Sequence, residues 1–139
     1  RPNKTAAARR STACVQRTKL DGEYTTMFGE TIPEVEIVWE QWGDASLPPE
    51  RTVVIFPSFS HPPHAAHHID DPSPGWWEPM IGPGKYIDTN KWRVVCPAIL
   101  GSAWGATCPL SVDPRTGKPY RATFPQITPA DQARCHAAL

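Results

Sequence analysis

Four of the five histidines fall within eight residues, at His61, His64, His67 and His68. Imidazoles at that density, with Asp70 and Asp71 just after them, are the residue types that hold a transition metal. The spacing argues the other way. Pro62-Pro63 imposes an extended backbone, so His61 and His64 need not converge, and no H-E-x-x-H pattern is present. The stretch is expected to be a solvated or substrate-facing loop, with no metal site. Gly82-Pro83-Gly84-Lys85 lacks the spacing of a phosphate loop and has Tyr86 where a hydroxyl would meet the metal, so it reads as a tight turn. None of the seven serines, Ser11, Ser46, Ser58, Ser60, Ser73, Ser102 and Ser111, lies in G-x-S-x-G. His136 has no visible partner and is expected at the surface. Cys14, Cys96, Cys108 and Cys135 form no C-x-x-C and match no zinc spacing, which favours reduced thiols. Trp76-Trp77 with Met80 and Ile81 reads as an apolar anchor packed locally.

These residues need elements to position them. Glu34–Gln41 alternates, with Val35, Ile37 and Trp39 on one face and Glu34, Glu36 and Glu40 on the other. That is a half-buried, antiparallel strand with a charged outer face. Tyr24–Phe28 is its expected hairpin partner through 29–33. Thr52–Phe56 and Trp92–Cys96 are continuous β-branched or apolar runs, as strands covered on both faces require. Thr128-Pro129-Ala130-Asp131 starts a helix: Thr128 caps it, Pro129 suits the first turn, and Asp131 complements the dipole. The helix is expected over Pro129–Leu139. It then stops without a C-cap, as in a piece of a larger protein. Long loops at 58–90 and 101–126 follow the two buried strands, where α/β sheets place function. The order of elements indicates α/β layers.

The chain has 139 residues, with 14 Lys+Arg against 14 Asp+Glu. The zero is uneven. Residues 1–20 hold six Lys/Arg and no acid, leaving eight Lys/Arg and all 14 acids to the rest. Residues 1–22 are expected to be a disordered basic leader, either an organelle transit peptide or an ordinary tail. The folded part is expected over residues 23–139. The balanced charge argues against a nucleic-acid surface, and no apolar run is long enough for a membrane span.

Three blocks then share a pattern. They are Asp71-Pro72-Ser73-Pro74-Gly75-Trp76-Trp77-Glu78 with Met80–Lys85 and Ile87–Thr89, Leu100–Ser102 with Gly105–Thr107 and Pro109, and Asp113–Tyr120 with Phe124-Pro125. Together they closely resemble the N-terminal third of the homoserine O-acetyltransferase family, which includes related serine O-acyltransferases. The resemblance covers roughly 34–139. It implies the N-terminal part of an α/β-hydrolase fold, with antiparallel first strands leading into a mostly parallel sheet and the nucleophile elbow still to come.

The resemblance also implies a mechanism. A Ser-His-Asp triad takes an acyl group from acetyl-CoA (or succinyl-CoA) and passes it to the hydroxyl of homoserine or serine, for methionine or cysteine synthesis. The acyl donor is a substrate, and no permanently bound cofactor is implied. All three triad residues would lie after Leu139, so none is in this chain. The backbone N–H of Phe59, in Pro57-Ser58-Phe59-Ser60, is expected in the oxyanion hole. Three departures stand on the catalytic side. Phe56-Pro57 replaces the family's histidine, Pro97-Ala98 stands where asparagine is common, and Gly105-Ala106-Thr107-Cys108-Pro109 replaces G-S-T-G-P. An esterase of the same fold and a non-catalytic fragment stay open as alternatives. The partners implied are small molecules, with neither nucleic acid nor membrane, and a homodimer is left open for the full-length protein. The location implied is intracellular, in a mitochondrion or other organelle if the leader is a transit peptide and in the cytoplasm otherwise.

Overall fold

The computed structural model describes residues 15–139. Strands β1 (Val15–Lys19), β4 (Glu36–Trp42), β8 (Arg93–Pro97) and β5 (Thr52–Val54) form the main sheet, in the order β1-β4-β8-β5. β1 and β8 flank β4 antiparallel, and β5 joins β8 parallel. Three two-stranded ribbons sit in the connections: β2 (Tyr24–Thr25) with β3 (Thr31–Ile32), β6 (Ile81–Gly82) with β7 (Ile87–Asp88), and β9 (Val112–Asp113) with β10 (Lys118–Pro119). Helix α1 spans Pro129–His136. Among the described residues, no helix is long and apolar enough to cross a membrane.

The centre of the sheet, at β4 and β8, is covered on both faces, as its side-chain alternation requires. Val94 and Cys96 of β8 join Trp42, Ile55, Ala65 and Ile81 beneath the loop after β5. Ile37, Ala98 and Leu100 pack with Ile32, Tyr120 and Cys135, the last carried on α1. The apolar run at β8 is thus a central strand, with residues 94–97 all buried.

Four expectations need correction. The stretch assigned to a disordered leader through residue 22 contains β1, which pairs with β4 from Val15↔Glu40 to Lys19↔Glu36. Its basic residues are the polar face of an edge strand: Arg17 lies 2.7 Å from Glu36, and Lys19 lies 3.4 Å from Glu34. Residues 1–14 of the expected leader, Cys14 among them, lie outside the described residues. Second, Tyr24–Thr25 pairs locally with Thr31–Ile32, and the antiparallel partner of β4 is β1. Third, the expected charged face of β4 is solvated only in part: Glu34 is exposed and Glu36 half-buried, but Glu40 is buried at 1 % exposure. Fourth, β5 is an edge strand among the described residues, with Val54 and Phe56 exposed rather than covered on both faces.

Candidate functional site

The parallel strand β5 ends into the segment that carries Phe59. This residue lies in a turn, with the His61 N–H donating to the Ser58 carbonyl at 3.0 Å and Ser58 Oγ 2.5 Å from His61 Nδ1. The Phe59 N–H is in no strand ladder and donates to no group among the described residues. Its exposed ring borders an apolar cleft of about 510 Å³, with Phe56, Ile99, Ile127 and Gln132 among the other walls. Gln132 fixes one wall at two points. Its Oε1 accepts from the Leu100 N–H and its Nε2 donates to the Leu100 carbonyl, each at 2.8 Å.

The histidine-rich loop, expected to be solvated or substrate-facing, is exposed at His61 and His67 but turns His64 inward. His64 is 4 % exposed. Its Nδ1 lies 2.8 Å from Glu40 Oε2, and its Nε2 donates to the Ser73 carbonyl at 2.9 Å. A carboxylate and a carbonyl can only accept, so both ring nitrogens face acceptors and the imidazolium satisfies both. The Glu40 bond raises the His64 pKa against the opposing effect of burial. Burial works to raise the Glu40 pKa, but the hydrogen bonds from His64 and His68 outweigh it and leave the carboxyl below its ordinary value. His68 Nε2 lies 3.0 Å from the same Glu40 oxygen, and its ring stacks on Trp42 with centroids 4.7 Å apart. Pro62-Pro63 does separate His61, which turns to Ser58 and Trp76.

The Asp71–Glu78 block is a lock for that loop. Asp71 Oδ1 accepts from the Ser73 N–H and hydroxyl, closing a local turn. Gly75 lies so near Ala65 that a Cβ would collide with the Ala65 backbone. The Trp77 N–H donates to the Ala65 carbonyl at 2.8 Å, and the Trp76 indole donates to the Pro62 carbonyl at 2.9 Å. Glu78 accepts from the backbone N–H groups of His67 and Gly75 and pairs with Lys85 at 3.0 Å. Burial works to raise its pKa, but these donors and the His67 ring outweigh it and pull the carboxyl down to about 2. Gly82–Lys85 is the expected tight turn, with the Lys85 N–H on the Gly82 carbonyl.

Helix α1 begins as the sequence predicts and does more. Thr128 and Asp131 form a reciprocal capping box. Asp131 is fully buried and also accepts from the Tyr24 hydroxyl at 2.7 Å and the Met27 N–H at 3.0 Å. It therefore ties α1 to the β2–β3 ribbon. His136, expected at the surface, is 8 % exposed and donates from Nε2 to the Ala98 carbonyl at 3.0 Å. The period of so short a helix could not show which side the sheet would cover. Cys96, Cys108 and Cys135 are buried free thiols, as expected, and burial pushes the Cys135 thiol up to about 11. Ser73 Oγ lies 3.3 Å from His64 Nε2, and His64 Nδ1 meets Glu40, but Nε2 gives its proton to the Ser73 carbonyl and the Ser73 hydroxyl donates to Asp71 Oδ1, so this row is not an activated triad.

No family model matches the chain. It is similar to a serine O-succinyltransferase of Xanthomonas campestris, 45% identical over 105 residues that make 76% of this chain and 28% of that protein. An L-serine/homoserine O-acetyltransferase of Streptomyces lavendulae is 44% identical over 115 residues, 83% of this chain and 31% of that protein. The chain thus spans about 30% of the length of these curated relatives. Among solved structures, homoserine O-acetyltransferase from Bacillus anthracis superposes with a TM-score of 0.76 at 35% identity, covering 89% of this chain and 35% of that one. A solved esterase superposes equally well, with a TM-score of 0.76 at 34% identity, covering 89% of this chain and 36% of that one. The sheet and its loops are therefore part of an α/β-hydrolase fold. Within that class the chain matches the N-terminal part of proteins named homoserine O-acetyltransferases and serine O-acyltransferases.

Proposed function

We propose that the protein containing this chain is an O-acyltransferase that moves an acyl group from acetyl-CoA or succinyl-CoA to the hydroxyl of serine or homoserine. The observation that carries the reading is the likeness to relatives named for that reaction, together with an unengaged Phe59 N–H at the rim of an apolar cleft. An amide donor positioned before the reaction stabilises the oxyanion of a tetrahedral intermediate without reorganising. Apolar walls limit water, which competes with an amino-acid hydroxyl for an acyl-enzyme. In this reading the chain supplies the donor and part of the pocket wall, and the triad comes from the rest of the protein.

The test is coenzyme A release by the full-length protein, with serine, homoserine or no acceptor added. Release that rises several-fold with one amino acid supports the proposal. Release that ignores both amino acids would show a hydrolase, with water as acceptor.

A further inference from the structure

We propose that Glu40, His64 and His68 form a binding site for one divalent transition cation of the zinc type, separate from the cleft at Phe59. Glu40 Oε2 lies 2.8 Å from His64 Nδ1 and 3.0 Å from His68 Nε2, and the three atoms lie within 4.8 Å of one another. Two imidazoles thus converge on a single carboxylate oxygen. Zinc held at 2.0–2.1 Å by tetrahedral ligands would place them roughly 3.3 Å apart. Loading the site asks the two Glu40 spacings to open by a few tenths of an ångström and the two imidazole nitrogens, within 4.8 Å of each other, to close by up to roughly 1.5 Å.

The surroundings suit a metal centre. The Ser73 carbonyl accepts from His64 Nε2, which fixes the ring and presents Nδ1 as the ligand atom. Stacking on Trp42 sets the plane of His68. His68 also lines a cleft of about 400 Å³ with Gln41, Gly43 and Asp70, which offers an entry path and room for a water as fourth ligand. Two imidazoles and one carboxylate favour zinc over magnesium or calcium, which take oxygen ligands. On binding, the cation takes the place of the protons that His64 and His68 direct at Glu40, and these go to solvent. It would tie the centre of β4 to the loop after β5. None of the three ligands lines the Phe59 cleft, so the cation would sit apart from that cleft.

The test is calorimetric titration of zinc chloride into tag-free protein, with cobalt(II) as a spectroscopic probe. One equivalent should bind, and cobalt should give the strong visible bands of a four-coordinate site. His68→Ala should weaken binding at least about 100-fold, since a lost ligand costs more than the 10–100-fold of an outer partner. Glu40→Gln should do the same in protein whose circular dichroism is unchanged. His61→Ala and His67→Ala should stay within about threefold of the parent protein, as neither residue belongs to the cluster. Absence of saturable binding would overturn the proposal. So would weak cobalt bands, or equal losses in the His61 and His67 variants, which would mark adventitious binding to surface imidazoles.

Discussion

Replacing Asp131 by alanine should be among the most damaging single changes in the chain. Its carboxylate has no solvent exposure and accepts from the Tyr24 hydroxyl, the Met27 N–H, the Thr128 N–H and the Thr128 hydroxyl. Loss of the reciprocal arm of the capping box, the acceptor for the Thr128 N–H, costs about 1 kcal/mol. Each further donor left facing an apolar gap costs about 1 kcal/mol or more, and two of them, on Tyr24 and Met27, lie a hundred residues away in sequence. The expected loss is therefore on the order of 3–4 kcal/mol. For a chain of this size that is a fall in Tm of roughly 10 °C or more. Asp131→Asn keeps one acceptor oxygen and should lose about half as much, while Tyr24→Phe should lose about 1 kcal/mol. Urea denaturation of the three variants measures this directly. Burial works to raise the Asp131 pKa, but the hydrogen bonds from Tyr24, Thr128 and Met27 leave it below the ordinary value. The unfolded chain then binds the proton first, so this stabilisation is full above about pH 4 and drains away as pH falls through the folded pKa. An Asp131→Ala loss within about 0.5 kcal/mol, the range of an ordinary surface change, would refute the reasoning.

Other changes carry equally definite expectations. Gly75→Ala drives a methyl into the Ala65 backbone and should cost about 1–3 kcal/mol or more in thermal melts. Glu78 is held down to about 2, so its contribution is full above about pH 4.3 and is lost as pH falls toward 2. Glu78→Gln should therefore flatten the acid limb of a stability–pH curve over that window. In the full-length protein, Phe59→Pro removes the N–H and should lower kcat by about 10²–10³-fold, with little change in KM for the acyl donor.

The legible parts of the fold were those with strong local signals. The β-branched runs at β5 and β8 and the Thr128–Asp131 cap were visible because propensity and tertiary structure agree there. Strand β1 was hidden. Val15–Lys19 has two basic residues and no buried one, and its strand state comes from pairing with β4 rather than from its own pattern. The burial of Glu40 was hidden for a related reason. A charge on an alternating strand reads as solvent-facing, and its partners His64 and His68 arrive from 24 and 28 residues away. The double role of Asp131 was half visible, since the cap is local and the ribbon it holds is not. The loop after β5 was legible, but that the Phe59 amide stays free in it is a fact of geometry.

The proposed acyl transfer is tested most directly by identifying the product. The full-length protein would be incubated with acetyl-CoA or succinyl-CoA and equal serine and homoserine, and the products resolved by mass spectrometry. The account predicts an O-acyl amino acid formed in step with coenzyme A. Free acetate or succinate as the main product, with neither amino acid acylated, would contradict it.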